Sequence, residues 1–524
     1  MNRVSIRSTS RHRAARPQPL AAALATILLA GAMTSAQAQT AAATPWPRLR
    51  SDATWPLFGS LSTSQTRVSP PSTAAATLRV SNCNDDGPGS LRAAVTAAGE
   101  ADTIDLQDLR CGRITLETGA IPIMLDNLDI VGPGPTHLAI DGGDNDRIFI
   151  HYGHGTLSLR EATISGGYYR STGHDVAIGA CIAANSYVSL DHVVVRDCHA
   201  VGVGAYGGAI FAYGLTMTNS TLSGNTATGI LDDATTAGFG GAAYVYTMQL
   251  FDSTVTGNRV SYQVDSRFRS YGIGGGIITI LGGSVTNSTI DSNYCQGRGG
   301  GIGTFSNLGV YNSTISGNTA ANEIGGGLFL RQPAALQLSN STVAANHSSG
   351  SGAGIWMNAP GSVFQSSIVA DNLPASADDV GNRLNEPGPP LALTIDGANN
   401  LIGSVGAPLI QPPDTLQFNP QLQPLADNGG PTRTHALRAN SPAIDAGNNA
   451  AGLSFDQRGG EFPRVYGKAP DIGAFEKQGT PPPLTEVAVP TLSIWASALL
   501  AALLSVFAIK PYALRRRSMR RVRF

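Results

Sequence analysis

An eleven-residue pattern of alternating apolar and polar positions, L-T-M-T-N-S-T-L-S-G-N from Leu215 to Asn225, returns along the chain as Met248 to Asn258, Gly283 to Asn293, Leu308 to Asn318 and Leu336 to Asn346. Degenerate copies start at Leu157, Val188 and Gly361. The threonine column, Thr221, Thr254, Thr289, Thr314 and Thr342, has spacings of 33, 35, 25 and 28. These fall in the solenoid range and vary as loops would. A second signature alternates with the first: Gly207-Gly208-Ala209-Ile210, Gly240-Gly241-Ala242, Gly274-Gly275-Gly276-Ile277, Gly299-Gly300-Gly301-Ile302, Gly325-Gly326-Gly327-Leu328 and Gly352-Ala353-Gly354-Ile355. Each repeat thus reads as a glycine corner, a strand, an N-S-T-like corner and another strand. Neither signal is helical.

The parity of the pattern requires a bend. Leu215 and Met217 face one way along a strand, whereas Leu222, five residues beyond Met217, would point outward if the strand ran straight. A corner at Asn219-Ser220 returns it to the core, and one coil per repeat closes a tube. Equivalent side chains then stack roughly 4.8 Å apart along the axis. Asn225, Asn258, Asn293, Asn318 and Asn346 are expected at the next corner, where Asn tolerates left-handed backbone and its amide bonds the coils above and below. The column of the first corner reads Glu161, His192, Asn219, Asp252, Asn287, Asn312, Asn340 and Gln365. Ladder packing explains this recurrence better than N-X-T glycosylation does. Over residues 130–373 the chain resembles the right-handed β-helix repeat family, which implies an all-β right-handed parallel β-helix, a solenoid of about eight coils.

A solenoid needs covered ends. Within an N-terminal cap over 78–129, Pro88 to Val95 reads as a short capping helix with Ser90 as N-cap. Together with Cys83 and Asp102-Thr103-Ile104 it resembles the N-terminal cap of surface β-helix proteins. Residues 39–77, rich in Ala, Thr, Ser and Pro, are expected to be a disordered lead. After the coils, residues 374–478 carry Asn399 to Gly403, Asn428 to Thr432, Ser441 to Gly447, Asp456 to Gly459 and Asp471 to Glu476. In that order they resemble the choice-of-anchor Q module of bacterial β-helix proteins, expected to be irregular in structure.

The two ends suggest the compartment. Arg3, Arg7, Arg11, Arg13 and Arg16 precede an apolar stretch from Leu20 to Met33 and the small-residue site Ala36-Gln37-Ala38. This is the layout of a secretory signal peptide over 1–38, cleaved after Ala38. A second hydrophobic run, roughly Val487 to Ile509, ends in Arg515, Arg516, Arg517, Arg520, Arg521 and Arg523. It predicts one C-terminal transmembrane helix with its arginines cytoplasmic, held off the folded part by a Pro-rich linker over 479–486. Over 487–524, Val489, Pro490, Thr491 and Leu492, the helix and the basic cluster resemble the IPTL-CTERM sorting signal of Gram-negative bacteria, with Val489 in place of the usual Ile. The resemblance implies a sorting protease and the export machinery as partners, membrane attachment until processing, and delivery to the cell envelope, cell surface or medium. A plain tail anchor is the competing reading.

These ends also hide the charge. Residues 39–486 hold all 36 acidic residues against 23 basic ones, a net charge near −13. Such a surface repels polyanions, so nucleic acid is excluded as a partner. Of the five cysteines, Cys83 is expected to pair with Cys111, since they flank the first ordered segment, and Cys181 with Cys198. Spacing alone does not decide the connectivity. None has the C-x-x-C spacing of a zinc site.

Catalytic chemistry is harder to find. Gly153-His154-Gly155 matches a tripeptide of polygalacturonases, but no Asn-Thr-Asp occurs and Asp232-Asp233 lies downstream. Lyases of this fold use a Ca²⁺-binding acid cluster with an outward Arg or Lys on neighbouring coils. The positions between ladder threonine and asparagine carry S-G, T-G, D-S, S-G and A-A instead. Asp141, Asp144 and Asp146 offer oxygens that could hold Ca²⁺; otherwise they form an acidic turn. His151, His154, His174, His192 and His199 are five of the nine histidines. His192, with Glu161 one coil below, could form a general acid/base pair or half a metal site, or simply a polar corner stack. No metal centre and no complete catalytic set are expected, with His192, Glu161 and His154 the residues to watch. The favoured expectation is a noncatalytic adhesive or carbohydrate-contacting solenoid, with surface polysaccharide as partner. The alternative is a polysaccharide lyase or glycoside hydrolase acting at the His151 to His199 coils, or under the loops Ile230 to Thr236 and Tyr262 to Tyr271.

Overall fold

Residue Leu157 stacks on Leu128 below it and Val188 above it, and the column continues through Leu215, Met248, Gly283, Leu308 and Leu336. These pairings come from a computed structural model, which describes residues 75–173, 175–231, 235–264, 269–382 and 392–479. The signal segment, the lead before residue 75, His174, Asp232-Asp233, Val489 to Leu492 and the C-terminal hydrophobic run lie outside the described residues. Among the described residues no helix is long and apolar enough to cross a membrane.

The repeat becomes a parallel β-helix because each coil buries the same positions. Ile130, Leu159, Leu190, Met217, Leu250, Val285, Val310 and Leu338 form a second inward column in parallel register, each at most 1 % exposed. Thr221, Thr254, Thr289, Thr314 and Thr342 align in the expected column. Stacking extends further toward the N-terminus than the repeat does. Thr77–Arg79 pairs with Thr103–Asp105, and that strand with Leu128–Val131. Thr77, expected in the lead, is thus already in a strand. The helix Leu91–Ala97 lies in this region, with Leu91 and Val95 buried and the Ser90 hydroxyl accepting from the Ala93 N–H.

The corners differ in one respect from the expectation. The left-handed residues are the first-corner column itself, including Glu161 (φ 53°), His192 (φ 54°), Asn219 (φ 47°) and Asn312 (φ 50°). At the second corner the positive φ falls one residue before each ladder asparagine, at Gly224, Gly257, Ser292, Gly317 and Ala345. Asn225, Asn258, Asn293, Asn318 and Asn346 are therefore free to point inward. Each amide donates to the Oδ1 of the next, at 2.9 Å, up to Asn372. The last coil also shifts the first column: Gln365 pairs with Ser339, so Ser366 (φ 51°), and not Gln365, stands at the corner.

Two strands per repeat were too few. A third follows each ladder asparagine at Thr226–Gly229, Arg259–Tyr262 and Tyr294–Cys295. In the longer coils a fourth appears, at Gly204–Tyr206, Thr235–Phe239 and Arg269–Ile273, stacked in parallel as a separate sheet. The extra residues of those coils pair with their own neighbours because pairing satisfies backbone groups that loops would leave to water. At the glycine corner, Gly274 has φ 73°, and a methyl on Gly275 would collide with the Gly300 carbonyl of the next coil.

The C-terminal module folds back along the threonine column. The Thr289 hydroxyl donates to the Arg433 carbonyl, that of Thr314 to Gln457 Oε1, and the Thr342 hydroxyl accepts from the Ala474 N–H. Accordingly Thr289, Thr314 and Thr342 are buried, whereas Thr221 and Thr254 remain half-exposed. Within the module, buried Arg464 meets Glu476 at 3.1 Å and buried Arg458 meets Asp456 at 2.6 Å.

Candidate functional site

The sequence-derived pair meets. His192 Nδ1 lies 3.9 Å from Glu161 Oε1 and 2.8 Å from Asp191 Oδ1, and all three side chains are between 42 and 49 % exposed. The left-handed corners at Glu161 and His192 hold those two at the surface. Directly below, Arg160 binds the Asp129 carboxylate, and that bond, with Asp191 adding to it, raises the guanidinium pKa above its ordinary value. Asp129, Arg160, Glu161, Asp191 and His192 thus share one strip across three coils. Glu161 also lines an open cavity of about 610 Å³ that includes Arg110 and His137.

The other histidines do not join them. His151 is buried, its Nε2 2.9 Å from the Leu125 carbonyl, and burial holds its pKa below the usual imidazole range. His154 is exposed, and its N–H donates to Asp126. His199 Nδ1 contacts the Thr226 hydroxyl at 2.8 Å. Asp141, one of the acids considered for Ca²⁺, accepts from Arg113, Ser165 and the Gly143 N–H. Among the described residues no group of three or more His, Cys, Asp or Glu converges as a metal site would. Cys83 is bonded to Cys111 and Cys181 to Cys198, with Cα separations of 6.4 and 5.7 Å. Cys295 is free and buried.

A second feature was not found from sequence. On the outward face of the middle coils an open groove of about 360 Å³ is lined by Tyr187, Gly214, Thr216, Thr247, Gln249, Leu281, Gly283 and Ser284, among others. The Cδ1–Cε1 edge of the Tyr187 ring packs against Gly214, where a methyl would strike it, and the residue remains 47 % exposed. Tyr213 and Tyr246 stack at 5.3 Å, and Tyr213 stands at 73° to Tyr187. The result is a half-exposed aromatic platform beside an aromatic wall. Burial, and then the neighbouring Tyr213, push the Tyr246 phenol above its ordinary pKa, so it stays a neutral donor. A signal existed: Tyr213 and Tyr246 each stand two residues before the repeat pattern.

Fold and surface define an all-β parallel β-helix protein with a back-folded C-terminal segment. No family model and no curated protein matches the sequence. Among solved structures the chain is similar to one titled as the crystal structure of pectate lyase Pel9A. The two share 14 % identity at a TM-score of 0.41, over 77 % of this chain and 98 % of that one.

Proposed function

We propose that this protein is an exported, surface-displayed solenoid that contacts carbohydrate without cleaving it, through the groove beside Tyr187. The observation that carries the reading is the half-exposed Tyr187 ring, packed by its edge against Gly214, at the mouth of an open groove. A sugar ring covers an aromatic face of this kind with its C–H groups while its hydroxyls reach the polar rim. Export rests on the signal-like N-terminus and the basic-tipped hydrophobic tail, and two disulfides suit an oxidising compartment. The tail is proposed to insert as a transmembrane helix and to be removed by a sorting protease at Val489 to Leu492.

A second reading follows from the His192 and Glu161 contact beside the Arg110 and His137 cavity: a polysaccharide lyase or hydrolase. One experiment separates them. The purified protein is incubated with a panel of acidic and neutral polysaccharides, and both retention and chain length are measured. Retention without shortening, lost in Tyr187→Ala, is the expected result. Shortening that vanishes in His192→Ala would sink the noncatalytic reading. Mass spectrometry of the mature C-terminus tests the sorting step, since retention of Arg515 to Arg523 refutes cleavage.

A further inference from the structure

We infer that the ligand of the Tyr187 groove is a neutral polysaccharide chain, lying along the solenoid axis with one sugar on Tyr187. The inference rests on the carbohydrate reading above and narrows it to a chemical class. Three observations carry it. The groove has no charged lining residue: its polar groups are Thr216, Thr247, Gln249 and Ser284, hydroxyls and an amide that pair with sugar hydroxyls and offer nothing to balance a carboxylate. Residues 39–486 carry 36 acids against 23 bases, a field that repels an anionic chain before it arrives. Asp191 lies on the same strand as Tyr187, four residues further on, where it adds a negative charge beside the groove, and the nearby Arg160 is already bonded to Asp129.

Direction follows from the coils. Thr216, Gln249 and Ser284 are register partners on successive coils, so a polar group recurs at each coil step of roughly 4.8 Å. A linear chain laid along the axis meets one such group per step. A chain laid along the strands would follow one coil and meet only the lining residues of that coil. The Tyr213 and Tyr246 wall bounds the same direction, because those two rings also belong to successive coils.

The test uses matched pairs: a β-glucan, a mannan and a methyl-esterified polygalacturonate, each beside a carboxylated form of the same backbone. Affinities of the full-length protein are measured by titration calorimetry at low and moderate salt. At least one neutral member is expected to bind, with little salt dependence. Its carboxylated partner is expected to bind about tenfold more weakly or worse, and Tyr187→Ala to lose about tenfold, as truncation of an aromatic anchor does. Tyr187→Phe, which keeps the platform, should bind as the parent does, and matching thermal melts establish that each variant is folded. Tighter Tyr187-dependent binding of a carboxylated chain would overturn the neutral class while leaving the carbohydrate reading intact. No Tyr187-dependent binding to any of the six would overturn both.

Discussion

The Thr314 hydroxyl donates to Gln457 Oε1 at 2.6 Å across 143 residues of chain, and the same Gln457 amide donates to the hydroxyls of Thr289 and Thr432, each at 2.9 Å. One buried glutamine thus ties two coils to the returning segment. Gln457→Ala strands these buried groups and should cost about 1–3 kcal/mol. Hydrogen exchange is expected to rise around Thr432 to His435 and Asp456 to Arg458, with the coils before Thr254 unchanged. Uniform protection in the variant would show that Gln457 is not the tie.

The asparagine ladder makes a sharper stability prediction. Asn293 accepts from the Asn258 N–H and amide and donates to Asn318 and to the Val255 carbonyl. Asn293→Ala leaves those groups buried without partners. A loss of at least about 3 kcal/mol is expected in denaturant titration.

Backbone strain separates the two asparagine columns. Asn219 is exposed with φ 47°, so Asn219→Gly should be tolerated, while Asn219→Val, β-branched in a left-handed well, should cost about 1–2 kcal/mol. Thermal melts of the pair check this. Equal melting temperatures would remove strain as the reason for asparagine there.

Acid should loosen the returning segment. His435 is buried, with Nδ1 2.7 Å from the Gln423 carbonyl and Nε2 2.8 Å from the Ser316 hydroxyl. Since a carbonyl only accepts, Nδ1 carries the proton and Nε2 accepts from Ser316. Burial holds the His435 pKa below its ordinary value of 6.5, so the unfolded chain takes up the proton first. Stability from this residue is full above that ordinary value and is lost as pH falls through the lower folded value. Melting temperature followed from about pH 7.5 down to about pH 5, a range that spans the reference pKa, should fall less steeply in His435→Gln than in the parent.

The sequence by itself determined the coil. The two-residue alternation, the parity break at Asn219-Ser220 and the recurring glycines each follow from local backbone chemistry, and they sufficed to align Thr221 with Thr254 and Thr289. They also brought His192 to Glu161, because register places corner residues one coil apart. The tertiary structure alone decided what lies outside the coil. The return of residues 432–476 onto Thr289, Thr314 and Thr342 depends on contacts more than a hundred residues apart, which leave no period in the chain. Likewise the groove at Tyr187 needs Gly214 from the next coil against the ring and Ser284 from two coils beyond that. A periodic pattern encodes which residues face inward to one another; which outward residues gather into a surface depends on how far each coil is wound against its neighbour.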